Sequence, residues 1–392
     1  MRVAIVHDYL NQMGGAERVL EVLHELFPDA PVYTSIYWPQ AMSPAIRRMD
    51  VRVSFMQRLP FVLRHHQPFL PLYPLAFEQF NLSGYDLVLS MSSAWSKGVI
   101  TRPETFHVNY CLTPMRFAWS YYDYIAREEL SGVALLVLPL VISYLRLWDV
   151  VSAQRVDRFI AISHTVARRI EKYYRRRSAV IYPPVNTAHF SPSDGYDDYF
   201  LVVGRLIPYK RTDLAVRACT RLRLPLKVIG DGRDRQKLQR MAGPTVEFLG
   251  RLSDEETRRY LARCRALIFP GEEDFGITPV EAMASGRPVI AFAGGGALET
   301  VVEGVTGCFF TEPTVDSLAA VLAGFDPARF DPRAIAAHAA QFHTEVFKQK
   351  LRSFLDQEYT AFRRGELASD RVDDPAGGPR EHSRAGATGT AV

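Results

Sequence analysis

From Tyr199 onward, apolar runs too short for helices alternate with amphipathic stretches: YFLVVG (199–204), a helix from Thr212, LKVIG (226–230), a helix near Gln236, VEFLG (246–250), a helix opened by Ser253, ALIFP (266–270), a helix near Pro279, and PVIAF (288–292). Strands separated by helices must be joined by right-handed crossovers, so this pattern dictates a doubly wound parallel sheet. The first half carries a noisier version. RVAIV (2–6) leads through Gly14-Gly15 into AERVLEVLHELF, where Val19, Leu20, Leu23, Leu26 and Phe27 share a helical face. DLVLS (86–90), FHVNYCL (106–112), DRFIAIS (157–163) and AVIYPP (179–184) supply further buried strands. The fold class is therefore α/β, with two parallel-sheet domains facing a central cleft.

A chain of 392 residues with 47% apolar and 23% charged content has the material for two cores. The expected organisation is an N-terminal Rossmann-like, acceptor-side domain over 1–182, a Pro- and Asp-rich linker over 183–198, a C-terminal Rossmann-like, nucleotide-binding domain over 199–343, a terminal helix over 344–364 that packs back toward the first domain, and a disordered tail over 365–392. The tail contains almost no large apolar residues. With 47 basic against 43 acidic residues the net charge of +4 is too small for a nucleic-acid binder. Cys111, Cys219, Cys264 and Cys308 are far apart and form no C-x-x-C pair, so neither a disulfide framework nor a structural zinc site is suggested, and a reducing cytosol fits. MRVAIVHDYL lacks the features of a secretory signal, and VALLVLPLVI (133–142), broken by Pro139, is too short to cross a bilayer.

In doubly wound sheets ligands bind beyond the carboxyl ends of the strands. Gly14 and Gly15 occupy that position after the first strand, where close backbone approach and a helix N-terminus suit a diphosphate; a tight turn is the plainer reading. The full dinucleotide fingerprint is absent. GRLIPYKRTD places Arg205 and Lys210 after YFLVV, where paired cations can stabilise a departing diphosphate without a metal. GEEDFGITPVEAMASGRPVIAF carries Glu273 and Glu281, with Thr278 as helix cap, Pro279 as first helical residue and Glu281 closing a capping box. The turn Phe275-Gly276-Ile277 aims backbone N–H groups into the cleft, so one carboxylate would hold a transferred group and the other a ribose diol. Gly230-Asp231-Gly232 and Gly250-Arg251 border a base or are simply turns.

Together, the GGAERV segment, the GRLIPYK loop and the paired glutamates of EEDFGITPVEAMASGRPV resemble retaining glycosyltransferase family 4 of the GT-B fold. HVNYCLTPMRFAWSYYDY (107–124) and VIYPPVNTAHF resemble its branch of bacterial O-antigen and exopolysaccharide mannosyltransferases. The likeness runs from Met1 to about Phe362. It implies that Gly15 contacts the donor diphosphate, that Arg205 and Lys210 neutralise it, that Glu273 grips the donor sugar and that Glu281 binds the ribose. The turn Phe275, Gly276, Ile277 and Thr278 would complete the pocket. Expected, then, is a metal-independent hexosyltransferase moving mannose from GDP-mannose to a glycan or lipid-linked acceptor.

One position departs from that pattern. Related enzymes often carry His in the stretch Tyr110-Cys111-Leu112-Thr113-Pro114, and Leu112 stands there. His107 lies five residues upstream, where odd spacing along a strand puts it on the opposite face. An epimerase or hydrolase of the same shape, or a catalytically silent sugar-nucleotide-binding partner, are the competing readings. RRIEKYYRRRS (168–178), with six basic residues, VALLVLPLVI and the aromatic stretch Phe117 to Tyr124 suggest peripheral contact with an anionic inner membrane leaflet.

Overall fold

The computed structural model describes residues 1–120, 133–193 and 195–372. Seven short strands build the first sheet: β1 (Val3–His7), β2 (Val32–Thr34), β3 (Val51–Val53), β4 (Leu87–Ser92), β5 (Phe106–Cys111), β6 (Arg158–Ala161) and β7 (Ser178–Val180). Their order is β3-β2-β1-β4-β5-β6-β7, with parallel pairing throughout. The second sheet has β8 (Phe200–Val203), β9 (Leu226–Ile229), β10 (Val246–Gly250), β11 (Ala266–Phe269), β12 (Val289–Phe292) and β13 (Gly307–Phe310), in the order β10-β9-β8-β11-β12-β13. Every residue of β1, β4, β5 and β11 is buried, as strands covered by helices on both faces require.

Each sheet reverses direction once, between β1 and β4 and between β8 and β11. Those switch points open crevices at the carboxyl ends. The loop bearing Gly14 and Gly15 follows β1, the loop with Arg205 and Lys210 follows β8, and the loop with Glu273 follows β11. The sequence pattern thus positions all three elements at switch points before any side chain is considered.

The greasy run expected to end near Ile142 belongs to a 21-residue helix, Val133–Ala153, that contains Pro139. Among the described residues no helix is long and apolar enough to cross a membrane. The helix Thr344–Arg364 lies on the first domain: Phe347 meets Tyr110 edge-on at 5.7 Å, Phe362 meets Phe106 at 5.0 Å, and Glu358 accepts from Arg158 at 2.6 Å. The segment after it, expected to be disordered from 365, begins docked. The Ala368 carbonyl accepts from Arg158 at 2.6 Å, Asp370 pairs with Arg176, and Val372 N–H donates to the Arg175 carbonyl at 3.1 Å. Arg158 and Arg176 are largely buried and need acceptors, which these residues provide. Residues 373–392 lie outside the described part.

Candidate active site

In the second domain, the short turn Pro208–Lys210 turns Lys210 toward the loop after β11, where its ammonium pairs with the Glu273 carboxylate. A Cβ on Gly271 would sit 2.7 Å from the Tyr209 carbonyl oxygen, so only glycine lets these two loops pack backbone to backbone. The Glu273 carbonyl accepts from Gly296 N–H at 2.8 Å, which ties the acidic turn to the triple glycine after β12. Phe275 is buried against Tyr182 and Phe342, leaving its backbone rather than its ring at the cleft. Gly230 and Gly232 pack against the carbonyls of Gly204 and Leu206 and support the loop of Arg205.

The expected capping box at Thr278 and Glu281 is not formed. Gly276, at φ +90°, is the cap, and the helix Ile277–Ala284 starts before Thr278, within its first turn. Glu281 therefore falls beyond capping reach. Its carboxylate instead crosses the cleft to Arg18 Nη1 at 3.0 Å, and burial raises its pKa. A true capping box occurs at Ser253 and Glu256, which opens the helix Asp254–Arg263.

In the first domain, Asp8 follows β1 and collects five hydrogen bonds from the loop after β4. Ser93 N–H and Oγ donate at 2.8 Å each, Ala94 N–H at 2.9 Å, Trp95 N–H at 3.0 Å and Ser96 N–H at 2.7 Å. Below the same loop, the buried Lys97 pairs with Asp149, which also accepts from Trp119 Nε1 at 2.7 Å and Tyr174 OH at 2.9 Å. Both loops at this switch point are thereby fixed, a preorganisation that sequence reading missed because a lone Asp carries no pattern.

Several polar contacts join the two walls. Arg205 Nη1 lies 3.5 Å from Gln12 Oε1. Arg18 holds Glu281 and, at 2.9 Å, Asp254. Asp274 receives Arg116 at 2.5 Å and also Arg169, whose guanidinium reaches Thr113 Oγ1 at 3.2 Å. Glu299 accepts from the N–H groups of His164 and Thr165, at 2.7 and 2.8 Å, at the start of the helix His164–Tyr174. Gly15 faces Ile277, whose Cδ1 would be 2.8 Å from a Cβ at that glycine. The structure thus brings Gly14, Gly15, Arg205, Lys210, Glu273, Glu281 and the turn from Phe275 to Thr278 to one cleft.

Leu112 packs partly into the core. His107 is fully buried, bonded through Nε2 to Ser90 Oγ at 2.8 Å, and burial depresses its pKa to about 3. Thr113, Arg116 and Arg169, with Asp274 held by both arginines, are polar groups at that part of the cleft. The basic run 168–178 does not form one patch: Arg169 turns into the cleft and Arg176 inward to Asp370, leaving Arg168, Lys172, Arg175 and Arg177 exposed. In the aromatic stretch, Trp119 stacks on Tyr173 at 4.2 Å, and Tyr121 to Tyr124 lie outside the described residues. Among the described residues no cluster of three His, Cys, Asp or Glu side chains could hold a metal.

Residues 186–325 match the family of glycosyl transferases group 1. An uncharacterized glycosyltransferase of Methanocaldococcus jannaschii is 31% identical over 156 residues, covering 38% of this chain and 44% of that protein. A GDP-mannose-dependent alpha-mannosyltransferase of Mycolicibacterium smegmatis is 35% identical over 165 residues, covering 39% and 44%. The matches thus span less than half the length of these two relatives. Anabaena HepE, solved with UDP-glucose, superposes with a TM-score of 0.65 at 18% identity, over 91% of this chain and 100% of that one. At that identity the likeness is one of fold, and the fold is GT-B.

Proposed function

We propose that this chain, with a group 1 glycosyl transferase segment in its second sheet domain, is a retaining glycosyltransferase of family 4 that moves mannose from GDP-mannose to a glycan or lipid-linked acceptor. The observation that carries this reading is that Arg205 and the Lys210–Glu273 pair lie on the loops flanking one switch point, while Arg205 reaches Gln12 and Ile277 faces Gly15 on the loop at the other. Cations and amide dipoles fixed before the donor arrives stabilise the charge that develops on a leaving diphosphate without a metal ion. Glu273 would hold the sugar hydroxyls and Glu281 the ribose. With no enzymic nucleophile placed beside the sugar, a diphosphate oxygen would take the acceptor proton on the same face from which the diphosphate departs. Closing both domains on the donor excludes the water that would hydrolyse it.

Mannose and guanine rest on the Mycolicibacterium relative, since HepE shares only the fold. We place the enzyme in the cytoplasm at the inner membrane face. In support, Leu140, Tyr144, Leu147 and Val151 form an exposed apolar stripe on the helix Val133–Ala153, with Arg168 and Lys172 exposed on the helix His164–Tyr174 and Arg175 exposed just past its end.

The test is product analysis with GDP-mannose in EDTA, with and without a mannan or lipid-linked acceptor. Acceptor-dependent GDP release with an α-linked product supports the reading. Free mannose alone, or turnover with UDP-sugars only, contradicts it.

A further inference from the structure

Glu17 stands in the first turn of the helix Gly15–Leu26 and is 5% exposed. Its Oε2 lies against the phosphate turn, 3.1 Å from where a Cβ on Gly14 would sit. Behind it is His7, the last residue of β1, with Nε2 3.9 Å from Glu17 Oε1. The imidazole is 3% exposed and neither ring nitrogen has a hydrogen-bond partner. Buried polar atoms are rarely left unpaired, and those that are call for an explanation. Here the orphaned ring and the buried carboxyl sit together where a diphosphate would come closest to the first domain.

The groups that face Glu17 favour an uncharged carboxyl. Burial depresses the His7 pKa to about 4, so the imidazole is neutral at pH 7 and gives no countercharge. Asp8 and Tyr9 follow on the same strand end, and the Asp8 carboxylate opposes a second negative charge. The cation felt by Glu17 is Arg205, from the other domain. Arg205 and the N–H groups of Gly14 and Glu17 favour ionisation, but desolvation outweighs them and lifts the Glu17 pKa to about 7.

Taking the donor site argued above as given, we propose that Glu17 is a donor-binding residue which, as a neutral carboxylic acid backed by His7, donates a hydrogen bond to the diphosphate of the nucleotide sugar at the Gly14-Gly15 turn. An ionised carboxylate in that place would instead repel the diphosphate. Glu17 therefore helps binding below neutrality and hinders it above, and donor binding near neutrality draws a proton onto it. No covalent step is assigned to Glu17.

Calorimetric titration of the full chain with GDP-mannose tests this, since both phosphates of that donor are esterified and lack the ionisation near about pH 6 of a terminal phosphate. Wild-type affinity is expected to fall about tenfold from about pH 6 to about pH 8.5, with proton uptake seen as a heat that depends on the buffer's ionisation enthalpy. Glu17→Gln keeps an uncharged donor of the same shape. It should bind with a flat pH profile and without proton uptake, while Glu17→Ala should lose about tenfold in affinity at about pH 6 alone. Circular dichroism confirms that both variants fold. If Glu17→Gln retains the wild-type pH dependence and proton uptake, the inference is overturned and the donor site stands. If wild-type protein binds no nucleotide sugar at any pH, the donor site itself falls.

Discussion

Lys210 and Glu273 pair with each other across the switch point of the second sheet, with side chains 21% and 17% exposed. Each neutralises the other. A nucleotide sugar would exchange that pair for two new partners, the ammonium taking the diphosphate and the carboxylate the sugar hydroxyls. Because both groups would gain new charged partners, neither is left buried and unpaired, and the exchange is within reach of ordinary binding energy.

Glu273→Gln should separate binding from folding. Losing a charged hydrogen bond to the sugar, worth about 1.5–3 kcal/mol, lowers kcat/KM by about 10- to 150-fold, while unfolding stability falls by about 1–3 kcal/mol as Lys210 loses its charged partner, too little to unfold the chain. Steady-state kinetics and urea melts on the same preparations check both numbers. An unchanged kcat/KM would remove Glu273 from the sugar site.

Gly295→Ala should disable the site from behind. Gly295 has φ +61°, and an added Cβ would lie 2.3 Å from the Glu273 carbonyl oxygen, which is backbone and cannot swing aside. The expected result is a loss of about 1–3 kcal/mol in stability together with weakened donor binding. Thermal melts with and without GDP-mannose measure both. Full donor stabilisation in the variant would show that the acidic turn tolerates displacement.

Acid sensitivity should trace in part to His107. Its pKa is about 3 in the fold against an ordinary 6.5, so between those values the unfolded chain binds the extra proton and stability rises with pH. The contribution is complete above pH 6.5 and lost as pH falls toward 3. His107→Gln, which can still bond Ser90, should flatten the fall in melting temperature across that window. An identical pH profile would contradict it.

The contacts between walls predict a salt-sensitive cleft. Glu299→Gln combined with Arg169→Ala removes the charge at the start of the helix His164–Tyr174 and one of the two arginines on Asp274. Small-angle scattering of the donor-free double variant should give a larger radius of gyration than wild type, and added GDP-mannose should bring it back. Equal radii at every salt concentration would show that these contacts do not hold the domains.

What the sequence revealed was whatever is local. β-branched runs marked β1, β4, β8, β9 and β11, and the loops after them could be named as ligand loops because parallel sheets present them on one edge. The strand β2 and the edge strand β3, three residues each, are too short to show a period. Arg18 and Glu281 are 263 residues apart, and Arg169 and Asp274 are 105 apart, so no spacing rule reaches them. The capping box at Thr278 was misread because the left-handed Gly276 starts the helix earlier than the side-chain pattern implies. The run of Gly294, Gly295 and Gly296 after β12 was a usable signal: three glycines beyond a strand announce a backbone approach too close for a Cβ.

Titration of GDP-mannose, in EDTA, into wild-type protein and the double variant Arg205→Ala, Lys210→Ala measures most directly whether fixed cations hold the donor by its diphosphate. With each charged hydrogen bond worth about 1.5–3 kcal/mol, the double variant should bind at least about 100-fold more weakly while keeping its fold. Equal affinity in the two proteins, or wild-type binding that vanishes once EDTA is present, would contradict the account.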